Sequence, residues 1–353
     1  MKTVGIVSEY NPFHNGHRYH VLESKQQLNA DGVIAMMSGN FTQRGEIALF
    51  DMHSRAEIAV KNGVDLVLEI PPQFVLNSAE FYAYYGVYIL HQLGVVDYLS
   101  FGSECGDLAQ LQSHKKPDSD SVKEQMKSGI SYKKALSDSI VSQTPNNILG
   151  IEYLQALRKL KSDMIPFTLK RKAVEHAAQS PADHFASASW IRKQLYNGNK
   201  VADFVPKLPA SLPAFEESIY PLLQYRLIMG TKENLSDINN ISEGLENRIL
   251  ANRNATSFSD MVDKIRCKRY PETRIRRVLY SILLNIKKSE ELPSYTRVLA
   301  YNETGQKILR NIKQNSKIPV FSRITKKDIF SHPQLQHELF CNEIYELAKK
   351  KNL

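Results

Sequence analysis

The chain has 353 residues, 42% of them apolar and 24% charged, with a formal net charge of +9. That length accommodates two domains and a sizeable core, and no run approaches the ~18 apolar residues of a membrane span. The three cysteines, Cys105, Cys267 and Cys341, lie too far apart for a CxxC pair, which argues against structural zinc or a disulfide framework and for a reducing cytoplasm.

In chain order, Thr3–Val7 is a run of strand formers, broken by Asn11-Pro12. Helix-compatible sequence follows from about Gly16, with Val21, Leu22 and Leu28 as its apolar positions. Strand, sharp loop and helix N-terminus is the arrangement that turns backbone N–H groups toward a phosphate. His14 and His17 fall there, with Gly16 between them permitting close approach. A lone loop histidine usually only caps or meets solvent; two in this context point to a phosphate site. Further strands are expected at Gly32–Met37, Asp65–Ile70, Tyr98–Phe101 and Phe167–Lys170, with helices such as Ser54–Val60 and Ala79–Leu93 between them. This alternation predicts an α/β fold, a Rossmann-like parallel sheet with right-handed crossovers and a ligand site at the strands' carboxyl ends. Lys115–Lys127 is mostly polar and reads as a surface insertion.

Asn197–Leu212, rich in Pro, Gly and Asn, marks a boundary between a domain 1–200 and a mainly helical domain 201–353. Helical patterns there cover Ala214–Met229, Ser242–Ala251, Ser257–Val262 and Glu272–Ile286. Residues 201–353 carry a net charge of +8 against +1 for 1–200, a signal that the second half meets a polyanion. Its densest basic run, Lys264–Lys288, includes Lys268, Arg269, Arg274, Arg276 and Arg277, with Tyr270 and Tyr280 among them. Arg276-Arg277 beside apolar Val278, Leu279 and Ile282 reads as the basic face of an amphipathic helix. Such a face suits an RNA backbone, and tyrosines suit unpaired bases; a merely solvated face is the alternative.

No Walker A, Gly-x-Gly-x-x-Gly, His-Glu-x-x-His or Gly-x-Ser-x-Gly pattern occurs. Other segments fit a nucleotide site of the two-histidine kind. Ser187, Ser189 and Arg192 at a helix start form an anion clamp or a plain N-cap. Gly102 leaves room for a nucleotide, Asn146-Asn147 offer hydrogen bonds to adenine or ribose, and Arg171-Lys172 end a strand near the phosphates.

The segment Asn11-Pro12-Phe13-His14-Asn15-Gly16-His17 is similar to the His-x-Gly-His signature of the nucleotidyltransferase superfamily. Such enzymes use the histidines on ATP phosphates, since phosphoryl-type transfer needs positioning and charge neutralisation above all. Ser187–Arg192 resembles that superfamily's second signature, with Ala188 in place of a hydroxyl. Val4–His20, Met37–Glu46, Phe101–Glu104, Pro145–Gly150, Ala186–Arg192, Glu243–Arg248 and Lys268–Pro271 together resemble the bacterial tRNA(Met) cytidine acetate ligases.

That resemblance implies activation of acetate by ATP to acetyl-adenylate, then acetylation of N4 of the wobble cytidine of elongator tRNA(Met). It implies ATP contacts from Val7, Ser8, Glu9, Tyr10, Asn11, Pro12, Phe13, His14, Asn15, Gly16, His17, Arg18, Tyr19 and His20, together with Gly102, Asn146, Arg171 and Lys172. His14 and His17 are then catalytic, and Ser187, Ser189 and Arg192 face them across the triphosphate. Ser38, Asn40 and Arg44 are the candidates for an acetate pocket, although Arg44 equally suits holding a loop or RNA. Mg2+ is compatible with such a site, with no protein ligand identified. The implied partners are ATP, acetate and elongator tRNA(Met), with no membrane. The region 106–144 looks shorter than is usual for the family. Two rival readings stay open. A small-molecule adenylyltransferase of the nicotinate-mononucleotide or pantetheine-phosphate type would not need the basic second half. A non-catalytic RNA-binding module sits badly with intact His14, Gly16, His17 and Arg192.

Overall fold

A computed structural model describes residues 1–113, 144–172, 184–242 and 244–349. The expected insertion Lys115–Lys127, residues 114–143 of the shortened region and Glu243 lie outside the described residues. The first half runs β1 (Thr3–Ser8), α1 (Asn15–Gln27), β2 (Gly32–Ser38), α2 (Met52–Lys61), β3 (Leu66–Ile70), α3 (Pro72–Val75), α4 (Ala79–Gln92), β4 (Tyr98–Ser103), α5 (Leu108–Ser113), α6 (Pro145–Leu160), β5 (Ile165–Lys170) and α7 (Ala188–Tyr196).

These five strands are mutually parallel, in the order β5-β4-β1-β2-β3. The chain moves outward from β1 to β3 and then restarts on the other side with β4. The order therefore reverses between β1 and β4, where a crevice opens at the carboxyl ends. All seven residues of β2, Gly-Val-Ile-Ala-Met-Met-Ser, are buried, as a central parallel strand covered on both faces must be. One face packs Ile34, Met36, Leu68 and Leu99 against α4 and α6. The other packs Val4, Ile6, Val33 and Ala35 against α1 and α2.

The second half continues with α8 (Tyr220–Met229), α9 (Lys232–Ser236), α10 (Leu245–Ala251), α11 (Phe258–Ile265) and α12 (Glu272–Leu283). Leu223, Leu245, Phe258, Val278 and Leu279 fill the core of this helical lobe. Then come β6 (Thr296–Tyr301), α13 (Glu303–Asn315), β7 (Val320–Phe321), α14 (Lys326–Ser331) and α15 (Pro333–Ala348).

The expected division at residue 200 is corrected here. β6 pairs antiparallel with β3, and β7 extends the same sheet to seven strands among the described residues. Ile308 and Ile312 of α13 join the sheet's core. α15 then returns to the helical lobe, where Cys341, Tyr345 and Ala348 are buried with Ile219 and Leu279. The helical lobe is therefore an insertion between sheet elements. β6 contains the strand formers Thr296, Val298 and Tyr301, but its six residues do not say which sheet they join until β3 offers its free edge.

Candidate active site

Asn15 to Gln27 form α1, and its N-cap is His14, in extended conformation. The His14 ring accepts through Nδ1 from the backbone N–H of Gly16 (3.1 Å) and of His17 (3.4 Å). In return the His14 backbone N–H donates to Nδ1 of His17 (3.2 Å). This is a capping box built from two histidines. The rings stack, with centroids 3.6 Å apart and planes 20° from parallel. An Nδ1 that accepts is unprotonated, so each neutral ring carries its proton on Nε2. Two N–H donors thus result at the positive end of a helix.

Burial first, and then the nearness of His14, Arg171 and His20, disfavours a charge on His17 and holds its pKa well below the usual histidine range. Tyr10 stands edge-on to His17 at 4.9 Å and to Phe13 at 4.8 Å. His20 bonds the Ser100 hydroxyl on β4 (2.9 Å), and burial, helped by Arg171, lowers its pKa to about 4.

Opposite, across the switch point, β4, the first turn of α6 and the residues just after β5 bring the expected nucleotide residues together. Arg171 donates to the Asn146 side chain (3.4 Å). A Cβ on Gly102 would lie 3.2 Å from Arg171 Cγ, so only glycine fits without displacing that arginine. Lys172 sits over the Tyr19 ring of α1 at 4.3 Å, closing one side of the crevice. The residue that organises this wall is Glu104, quoted above only as part of a motif. It accepts from the Thr144 hydroxyl (2.9 Å), the Asn146 side chain (2.6 Å) and the backbone of Asn146 (3.2 Å) and Asn147 (2.8 Å). Burial alone would raise its pKa, but these hydrogen bonds outweigh it and hold the carboxyl down. Glu104 thereby caps α6 and fixes Asn146.

Several expected contacts have other work in this structure. Asn15 donates from its side chain to the carbonyls of His184 and Asp203, each at 2.9 Å, tying α1 to the segment before and after α7. Ser187 is the N-cap of α7, accepting from Trp190 N–H (3.2 Å), with Ser189 beside it at 3.1 Å. Arg192 bonds the Asn11 carbonyl (2.8 Å) and pairs with Glu46 (2.5 Å). Asn40 accepts from Met52 N–H and donates to Asn342, both at 2.9 Å. The Ser38 hydroxyl is buried without a hydrogen-bond partner among the described residues.

Glu9 accepts from Gln43 N–H (2.7 Å), and burial, with Glu46 nearby, raises its pKa. Fully buried Arg55 was missed in the sequence. It binds the carbonyls of Phe50 (2.8 Å), Ser38 (3.2 Å), Glu9 and Gly39, stitching the ends of β1 and β2. An arginine inside the apolar stripe Met52, Ala56, Ile58, Ala59 was the signal for it.

The basic helix requires a correction. Arg276 and Arg277 do not face solvent. Arg276 donates to the Gly45 carbonyl (3.0 Å) and pairs with Glu216, and Arg277 donates to the Gln43 carbonyl (3.3 Å). Tyr280 is fully buried and donates to Glu216 (3.1 Å), and Tyr270 is also buried, so neither stacks on a base. The apolar neighbours Val278, Leu279 and Ile282 left only one face outward, and contacts with the 41–47 loop decided which. Lys268 and Arg269 remain exposed, and Arg269 and Arg274 flank the Tyr270 ring at 5.8 and 5.1 Å.

Residues 1–353 match the model of a family described as HIGH Nucleotidyl Transferase. A tRNA(Met) cytidine acetate ligase of Thermoanaerobacter sp. (strain X514) is 37% identical over 397 aligned positions, covering 100% of this chain and 96% of the relative. One from Acetivibrio thermocellus is 37% identical, covering 88% and 85%. Among solved structures, Thermotoga maritima TmcAL bound with alpha-thio ATP matches with a TM-score of 0.82 and 30% identity, covering 98% of this chain and 92% of that one. The apo form of the same protein gives 0.84.

Proposed function

The chain belongs to the HIGH Nucleotidyl Transferase family, and from that premise we propose that it is an ATP-dependent acetate ligase acting on tRNA(Met). The observation that carries the chemistry is the stacked His14–His17 pair, whose Nδ1 atoms are occupied by the helix's own N–H groups. Their Nε2 donors are preorganised for charge that develops on ATP when an acetate oxygen attacks the α-phosphorus and pyrophosphate leaves. The Gly102–Asn146–Arg171 wall receives the nucleoside. The second step joins N4 of the wobble cytidine of elongator tRNA(Met) to the acetyl carbon and releases AMP. Activation is needed because that nitrogen's lone pair is delocalised into the ring. Ser38 and Arg44 serve the acetate; Asn40 supports the loop instead.

The tRNA meets the exposed basic residues Lys268 and Arg269, with Arg274 at their edge. A cytoplasmic location belongs to this reading. Among the described residues, no helix is long and apolar enough to cross a membrane.

The test is to incubate the protein with labelled acetate, ATP and bulk tRNA, then digest the tRNA and weigh its nucleosides. One acetyl group on cytidine at the wobble position, without acetyl-coenzyme A, is the expected result. A strict need for acetyl-coenzyme A, or no acetylated cytidine, overturns it.

A further inference from the structure

The loop between β2 and α2 is gripped from the helical lobe at two carbonyls, and these flank a single residue. Arg277 holds the carbonyl of Gln43 (3.3 Å) and Arg276 that of Gly45 (3.0 Å); Arg44 lies between. The grip is close. Gly45 has φ +72°, and a Cβ there would stand 2.4 Å from the Arg277 backbone nitrogen, so the loop rests directly on the α12 backbone. Arg276 is itself immobilised by Glu216 and by the Phe258 ring beneath it at 5.0 Å, and Glu216 by Tyr280.

On its other side the same loop meets the nucleotide segment. Gln43 N–H bonds Glu9, and Glu46 pairs with Arg192, which bonds the Asn11 carbonyl. A guanidinium's several rigid donors suit exactly this kind of carbonyl clamp better than an ammonium does.

We propose that Arg276 and Arg277 are positioning residues of the acetate-activating step: by fixing the carbonyls on either side of Arg44, they aim its guanidinium at the acetate carboxylate. The proposal rests on the acetate-ligase reading above. It makes the first half-reaction depend on the helical lobe even when no tRNA is bound.

The measurement is acetate-dependent ATP–pyrophosphate exchange without tRNA, on Arg276→Met, Arg277→Met and Arg44→Gln. KM for acetate is expected to rise roughly tenfold or more in each, with KM for ATP within about twofold of the unaltered protein. The double variant Arg44→Gln/Arg277→Met is expected to be no worse than Arg44→Gln alone, because the arginines act through Arg44. An unchanged KM for acetate in Arg277→Met, or losses that multiply in the double variant, overturns the proposal. Should a methionine variant fail to fold, Arg276→Lys and Arg277→Lys carry the test. They keep the charge but lose the fork, and are expected to raise KM for acetate about threefold or more with KM for ATP unchanged; no change in either constant overturns the proposal. If the unaltered protein shows no acetate-dependent exchange, the acetate-ligase reading fails and this proposal falls with it. Exchange in the unaltered protein that the variants match refutes the positioning role alone.

Discussion

The β1–α1 loop and helix α12 each present two closely spaced basic side chains, and the fold uses them in opposite directions. His14 and His17 satisfy their own helix with Nδ1, so Nε2 is the nitrogen that each ring turns away from the helix cap. Arg276 and Arg277 turn inward onto the carbonyls of a neighbouring loop. An imidazole has two nitrogens of different roles, so it caps a helix and serves a ligand at once. A buried guanidinium must find acceptors, and those it found are in the protein. The structural and functional readings of the histidines are thus compatible, whereas for the two arginines the structural one displaces the solvent-facing one.

The largest expected effect breaks the double use of the histidines. His17→Ala should cut adenylation by roughly 10²-fold or more, the scale of losing one preorganised donor. His14→Ala should do the same and also destabilise the protein by about 1 kcal/mol, because an N-cap is lost. His14→Asn retains a capping oxygen without Nε2. It is expected to recover the thermal stability but not the rate, and recovery of both would show that capping is His14's only role.

A second prediction concerns the facing wall. Glu104→Ala removes four accepted hydrogen bonds at the start of α6 and frees Asn146. KM for ATP is expected to rise about tenfold, with less change in KM for acetate. Equal rises in both would mean that Glu104 supports the whole site rather than its nucleoside side.

What the sequence made legible follows the same division. β1, the loop and α1 were readable because their signals are local: strand formers, a proline, two histidines and a glycine within a few residues. Gly102, Asn146 and Arg171 were readable as candidates, and the parallel sheet brings them together as consecutive crossovers must. The orientation of Arg276 and Arg277 was not readable. It depends on the 41–47 loop, more than two hundred residues away in sequence, lying against α12. Likewise β6 becomes a strand only beside β3, and Arg55 earns its buried place only from four carbonyls on separate segments.

A third prediction sharpens the arginine side of the comparison. Lys268 and Arg269 lie near Arg276 in sequence but are exposed. Changing both to Ala should reduce the slope of log affinity for tRNA against log salt by about one to two units, leaving acetate-dependent exchange without tRNA intact. An unchanged slope would remove this surface from the tRNA interface.

The smallest expected effect is acid sensitivity, and it belongs to the histidine region alone. His17 and His20 are held below the ordinary histidine value, His20 at about 4, chiefly by burial. Below an unfolded value of about 6.5, the unfolded chain binds protons that the folded chain refuses. Stability from these groups is therefore fully present above that pH and is lost as pH falls toward 4. The slope from His20 is at most about 1.4 kcal/mol per pH unit. His20→Asn can keep a hydrogen bond to Ser100 without the titrating ring. Denaturant unfolding between pH 4.5 and 6.5 should show a shallower loss of stability in that variant than in the unaltered protein. An identical slope in both would mean that His20 is not buried as a neutral ring against β4, and that Ser100 holds it in a state open to protons.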